Sequence, residues 1–176
     1  MEILREQYKA IADEINQMYK ADQDLRVLYM KGDVEWDNDI DIRNTKGSKE
    51  IIDKIGYPTI SKVGKEVSHN FWILVQHADH DKEFQKYCLD LMKCFSDEDV
   101  EKINIAYLED RIRAGEGRSI LYGTQYKIDK DTDEIIILPI EDEENVDKRR
   151  FEIGLPPLKE YIEISNKKRR EMRGVK

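Results

Sequence analysis

The chain has 176 residues, 39% of them charged and 39% hydrophobic, and 30 Lys and Arg against 38 Asp and Glu give a formal charge of −8. That length fits one domain of ordinary size. No apolar run approaches the roughly 20 residues of a membrane span, recurring aromatic and aliphatic residues exclude a fully disordered chain, and the acidic balance speaks against specific nucleic-acid binding.

The opening MEILREQYKA lacks the apolar region of a secretory signal, and Cys88 and Cys94 form neither a disulfide framework nor a closed zinc site. A reducing, cytoplasmic setting is the expectation. Residues 2 to about 30 read as one amphipathic helix: Ile3, Tyr8, Ile11, Ile15, Met18, Leu25 and Leu28 recur at helical spacing, and Gly32 is its stop. GDVEWDNDIDIRNTKGS reads as loop, with Trp36 placed to dock back on the body. A short helix is expected over Lys49 to Lys54. After the IGYPT turn comes a helix capped by Thr59 or Ser61 and running to about Ala78. Val63, Val67, Phe71, Trp72, Ile73, Leu74 and Val75 make it apolar on nearly all sides, the pattern of a central, buried helix.

Asp79 to Asp81 marks a break before another helix carrying Phe84, Tyr87, Cys88, Leu91, Met92 and Phe95. SDED at 96–99 resembles a capping box opening a helix that ends near Gly115. RSILYGTQYKI and DEIIILPI then read as two strands joined by DKDTD. A short helix ending at Gly154 and a last helix opened by the prolines of LPPLKEYIEIS complete the chain. The predicted fold is mainly α: a single-domain helical bundle over residues 1–166, with one small antiparallel hairpin at about 119–138 packed against it. Residues 167–176 hold six basic residues and one acidic residue and are expected to be a flexible tail.

The most unusual segment is FWILVQHADHDKEF, residues 71–84, where an apolar helix suddenly carries Gln76, His77, Asp79, His80 and Asp81. Three readings stay open. His77 is an acid or base oriented by Asp79 or Asp81. Alternatively, His77 with His80 or Asp81 and a distant carboxylate binds a divalent metal, although HxxHD matches no established metal motif. Or His77 is a buried structural group while Asp81 caps the next helix. Arg111, near a helix end, and Arg149, beside nine acidic residues in 129–147, are suited to a bidentate grip on an anion or to ion pairing. Gly123 inside a strand pattern marks a close backbone approach, a bulge or a simple hairpin turn, with Tyr122 and Thr124 on one face and Gln125 on the other. No Gly-rich phosphate loop or nucleophile elbow is present.

GYPTISKVG (56–64), WILVQHADHDKEFQ (72–85), AYLEDRIRAGEG (106–117), LYGTQY (121–126) and PIEDEENVDKRRFEIGLPPLKEY (139–161) resemble DUF6624, a bacterial family of unknown function, over about residues 50–161. The resemblance carries over no chemistry. It implies that polar residues from separated segments, among them Gln76, His77, Asp79, Asp81, Asp110, Arg111, Tyr122, Thr124, Gln125, Arg149 and Arg150, belong to one pattern. A shared pocket explains that grouping, and so does a buried hydrogen-bond network.

The leading expectation is a small enzyme acting on a polar, anionic small molecule. His77, Asp79 and Asp81 would form its acid–base group, and Gln76, Arg111, Tyr122, Thr124, Gln125 and Arg149 would contact substrate. A non-catalytic module binding a protein through the first helix, and a divalent-metal-dependent hydrolase, are the alternatives. The reaction class and any cofactor stay open.

Overall fold

The computed structural model describes residues 6–172, with the side chain of Met172 excepted. The expected Ile3 contact and residues 173–176 of the basic tail lie outside the described residues. The fold is mainly α, with a single two-stranded antiparallel sheet among the described residues. The chain divides into two compact units, with the boundary between Asn104 and Ile105. Among the described residues no helix is long and apolar enough to cross a membrane.

In unit 1, helix α1 (Lys9–Lys31) packs on α2 (Asp39–Ile55) and on α4 (Lys65–Gln76). The buried stripe of α1 runs through Ile15 and arrives, two turns later, at Asp22, which is 0% exposed. Beyond Asp22 the stripe ends: Val27, Leu28, Tyr29 and Met30 face solvent, although Leu28 belongs to the predicted apolar set. Gly32 closes the helix in the left-handed conformation (φ 77°). Gly32 N–H bonds Tyr29 O and Asp33 N–H bonds Leu28 O, the paired pattern that satisfies the last carbonyls of a helix.

The expected loop over 32–48 is shorter in the structure. Only residues 32–38 are irregular, and α2 starts at Asp39. The Asp, Asn and Gly residues of the segment mask its helical phase, which Ile40, Asn44, Thr45, Ser48, Ile51 and Ile52 define by facing inward. Three of those six are polar, so hydrophobicity alone does not reveal the stripe. Trp36 docks on α1 as expected, edge-on to Tyr29 at 5.4 Å.

Helix α4 is the centre of the unit and contacts α1, α2, the short α3 (Ile60–Val63) and α5 (Lys82–Lys93). Phe71, Leu74 and Val75 are at most 1% exposed, each contributing about 1.5–3 kcal/mol by burial. The predicted single helix from 59 to 78 is broken at Gly64 and stops at Gln76. Thr59 precedes α3 but makes no side-chain cap. Asp99 holds that end instead: its carbonyl accepts Ile60 N–H and its carboxylate accepts Ser61 N–H. SDED is therefore a turn that clamps α3 rather than the start of a helix, and the next helix begins at Lys102.

Helix α6 (Lys102–Gly115), which lies in unit 2 from Ile105 onward, leads to β1 (Tyr126–Ile128) and β2 (Ile135–Ile137), paired antiparallel with Lys127 opposite Ile136. A 3-10 turn (Glu143–Asn145), α7 (Val146–Glu152) and α8 (Leu158–Met172) follow. The hairpin packs on α8, where the Asn166 side-chain oxygen accepts Ile135 N–H at 2.9 Å. Asp147 accepts Leu158 N–H at 2.7 Å and so caps α8. The expected tail is ordered helix as far as Met172, and Arg169 reaches Asp133 at 2.8 Å. A neighbouring carboxylate converts part of the basic run into a helix face.

Candidate acid–base site

The helix ends at Gln76, so His77 and Asp81 do not share a helical face. His77 is the last-turn cap of α4, its N–H bonding Ile73 O, and residues 77–81 form a turn. Asp81 caps α5 by accepting Phe84 N–H at 3.1 Å and pairs with Lys49 at 2.6 Å. The Lys49 hydrogen bond holds its carboxyl below the usual range. Asp79 accepts from the Gln85 amide at 3.2 Å. The same amide nitrogen bonds Val75 O and Gln76 O, so Gln85 caps the end of α4 from inside. The expectation that Asp79 or Asp81 orients His77 is corrected accordingly: Asp81 holds Phe84 N–H and Lys49, Asp79 meets the Gln85 amide, and a different carboxylate lies on the ring.

The carboxylate on His77 is Asp22 of α1. His77 Nδ1 lies 3.1 and 3.0 Å from its two oxygens. A carboxylate only accepts, so Nδ1 carries the hydrogen, and the neutral form of the ring therefore has its bare nitrogen at Nε2. Asp22 is fully buried, whereas the His77 side chain keeps 18% of its surface exposed. Arg26, one turn along α1, donates Nε to both Asp22 oxygens at 3.2 and 3.1 Å and Nη2 to Asp41 of α2 at 2.9 Å. Burial pushes Asp22 toward the neutral form, but hydrogen bonds from His77 and Arg26 outweigh it and its carboxyl titrates below the usual range. For Asp41 burial prevails over the attraction of Arg26, and its carboxyl is raised.

The arrangement is a buried carboxylate that fixes one nitrogen of a partly exposed imidazole, with that imidazole and a guanidinium together favouring the ionised carboxylate. That is the geometry of an oriented acid–base histidine. It also gathers donor atoms: one ligand atom each from Asp22, Asp41 and His77 lie within 4.8 Å of one another. Asp22, Arg26 and Asp41 are absent from the expected site. Asp22 falls in phase with Ile15 on the buried side of an amphipathic helix, and Arg26 follows it by four positions. A charged pair interrupting an apolar stripe is the signal that marks them.

Gln76 is buried, and its side-chain nitrogen has no partner among the described residues. His69 lies against Trp72, with ring centroids 5.1 Å apart, and His80 is exposed. Cys88 is buried and burial pushes its thiol up, whereas Cys94 is exposed.

Two of the expected substrate-contacting residues of unit 2, Thr124 and Arg149, are engaged by the loop itself. Asp110 accepts N–H groups of Leu121, Tyr122 and Thr124 and the Thr124 hydroxyl, at 2.7–3.1 Å. Arg149 donates to the carbonyls of Leu121, Glu141 and Asp142 and to the Asp142 carboxylate. Buried Arg150 donates to the carbonyls of Tyr122 and Pro156 and lies over the Tyr161 ring. The N–H groups of Leu121, Tyr122 and Thr124 thus go to one aspartate, and the carbonyls of Leu121 and Tyr122 go to two arginines. Thr124 and Arg149 are corrected from ligand contacts to loop supports. Gln125 gives its carbonyl to Leu138 N–H, and burial, helped by Glu109 and Asp110, raises the Tyr122 phenol. Arg111 sits half-buried on α6.

Comparison with curated proteins and with solved structures returns no match. The sequence model of DUF6624, a family of unknown function, matches residues 10–170 and so takes in the α1 and α2 positions of Asp22, Arg26 and Asp41. The chain is a member of DUF6624.

Proposed function

We propose that the protein is a small cytoplasmic enzyme in which His77 transfers a proton to or from a polar small molecule, with Asp22 orienting the ring and Arg26 keeping Asp22 ionised. The observation that carries this reading is the 3.0 Å contact between His77 Nδ1 and a fully buried carboxylate, on a ring that still reaches solvent. An oriented general acid or base of this kind contributes typically about 10²–10⁴-fold to a rate. The substrate reading shifts from anionic toward neutral or singly charged. Two carboxylates face one guanidinium at the site, and Arg149, one of the arginines expected to hold an anion, is committed to carbonyls. The test is a panel of ester, amide and elimination substrates, run with a chelator present on the wild type, His77→Gln and Asp22→Asn. Activity that falls by about two orders of magnitude or more in a folded His77→Gln variant supports the reading. Undiminished activity in that variant rejects it.

A second reading is a divalent-metal-dependent hydrolase, favoured by the 4.8 Å gathering of Asp22, Asp41 and His77. One imidazole and two carboxylates suit zinc, manganese or iron. Arg26 bonds both carboxylates, so a metal has to displace it. Activity that requires added zinc or manganese and disappears with chelator selects this reading over the first.

A further inference from the structure

Arg26 belongs to two places at once. Its Nε and Nη2 hold Asp22 and Asp41, and it also lines an open groove of about 440 Å³ with Tyr29, Met30 and Trp36. That volume is within the range of small-molecule sites. The groove has a fixed aromatic wall. The Trp36 indole N–H bonds the Asn38 side chain at 3.1 Å, its ring meets the edge of Tyr29, and the Arg26 guanidinium carbon lies 4.7 Å from its centroid. Three contacts orient an aromatic ring beside solvent instead of burying it, which lowers the ordering cost for anything that stacks there.

The groove also has a polar end. The Arg26 side chain is 27% exposed, and its Nη1 has no partner among the described residues. Nη1 offers donors and no acceptor, so it selects a carbonyl or carboxylate oxygen. The two carboxylates beside Arg26 disfavour a ligand of high negative charge.

We propose that this groove is the substrate-recognition subsite of the His77 site, and that it takes a small molecule with an aromatic ring and a carbonyl or single carboxylate. The ring stacks in the space walled by Trp36, Tyr29 and Met30, and the oxygen accepts from Arg26 Nη1. The assignment rests on the acid–base reading only for calling the ligand a substrate. Binding itself stands on the groove.

Benzamide and benzoate are the probes, with acetamide as the ringless control, followed in ¹H–¹⁵N spectra of the whole chain. Saturable shifts of the Trp36 indole and of the Tyr29 and Met30 amides with the aromatic probes, and none with acetamide at equal concentration, are expected. Trp36→Ala, at a loop position, should weaken binding about tenfold, and Arg26→Lys, which keeps the charge beside Asp22, should weaken it less than Trp36→Ala. Three results overturn the proposal: no saturable response at Trp36, an equal response to acetamide, or ligand-independent shifts at Val27, Leu28 and Met30 that grow with protein concentration. The last would make the face a contact between copies of the chain. Aromatic binding at Trp36 together with a dispensable His77 would leave the subsite standing and remove the acid–base reading.

Discussion

His77 and Asp22 stand 55 positions apart in the chain and meet at 3.0 Å. The histidine ends the central helix of unit 1, and the aspartate occupies the place where an apolar residue belongs on α1. A fully buried carboxylate is tolerable only with its oxygens satisfied, and here an imidazole and a guanidinium supply the donors.

Asp22→Asn is expected to destabilise the protein by about 2–4 kcal/mol, because Arg26 loses the charge that compensates it and one of the two acceptor oxygens shared by Arg26 and His77 becomes a donor. The pH dependence gives a second readout. The folded-state carboxyl titrates below the unfolded value of 3.8, so its stabilisation is fully present above that value and is lost as pH falls through the folded one. Denaturant melts between about pH 2 and 6 should show a shallower acid decline in Asp22→Asn than in the wild type. Parallel declines would mean that Asp22 is not the ionised partner.

Asp41→Asn should cost less than Asp22→Asn at neutral pH. Burial raises the Asp41 carboxyl, so ionising it opposes folding as pH climbs through that raised value. Asparagine keeps an acceptor for Arg26 Nη2. Equal losses in the two variants, measured by denaturant melts at pH 7, would contradict this ranking.

Asp110→Asn should destabilise unit 2 by about 2–3 kcal/mol. Asparagine has one acceptor oxygen where the loop supplies three N–H groups and a hydroxyl, and its amide donors would face N–H groups. Hydrogen exchange at Leu121, Tyr122 and Thr124 is the direct check: protection there should fall before protection in α8 does.

Gly123→Ala combines two costs. The residue has φ 67°, which disfavours a Cβ, and that Cβ would stand 2.7 Å from Leu158 Cδ1 and 3.2 Å from Ile140 Cδ1. A loss of about 2–4 kcal/mol follows, part of it recovered by shortening the neighbour in Gly123→Ala/Leu158→Ala relative to the sum of the single changes. Strict additivity would remove the steric part of the explanation.

Elements whose apolar period is strong are legible in the sequence. The central position of α4 follows from Phe71 to Val75, and the hairpin follows from the change of period after Gly117. Helix α2 is hidden because Asn44, Thr45 and Ser48 face inward, so its buried stripe does not look apolar. His77 stands out as a polar residue ending an apolar helix. Its partner does not, since local spacing favours Asp79 and Asp81, and only the folding of α1 against α4 brings Asp22 to the ring. The polar residues of 121–125 and 147–150 are visible as a group, but their job depends on where backbone N–H and carbonyl groups point. An aspartate beneath a loop and an arginine facing a ligand have the same sequence appearance.

The proposed acid–base role of His77 depends on which of its nitrogens carries the hydrogen. A long-range ¹H–¹⁵N spectrum of the imidazole, taken where the ring is neutral, reads this directly. The structure predicts the Nδ1–H tautomer, with Nε2 bare, and a shift away from it in Asp22→Asn. A ring found in the Nε2–H tautomer, unchanged by Asp22→Asn, would contradict the Asp22–His77 pairing and the acid–base function built on it.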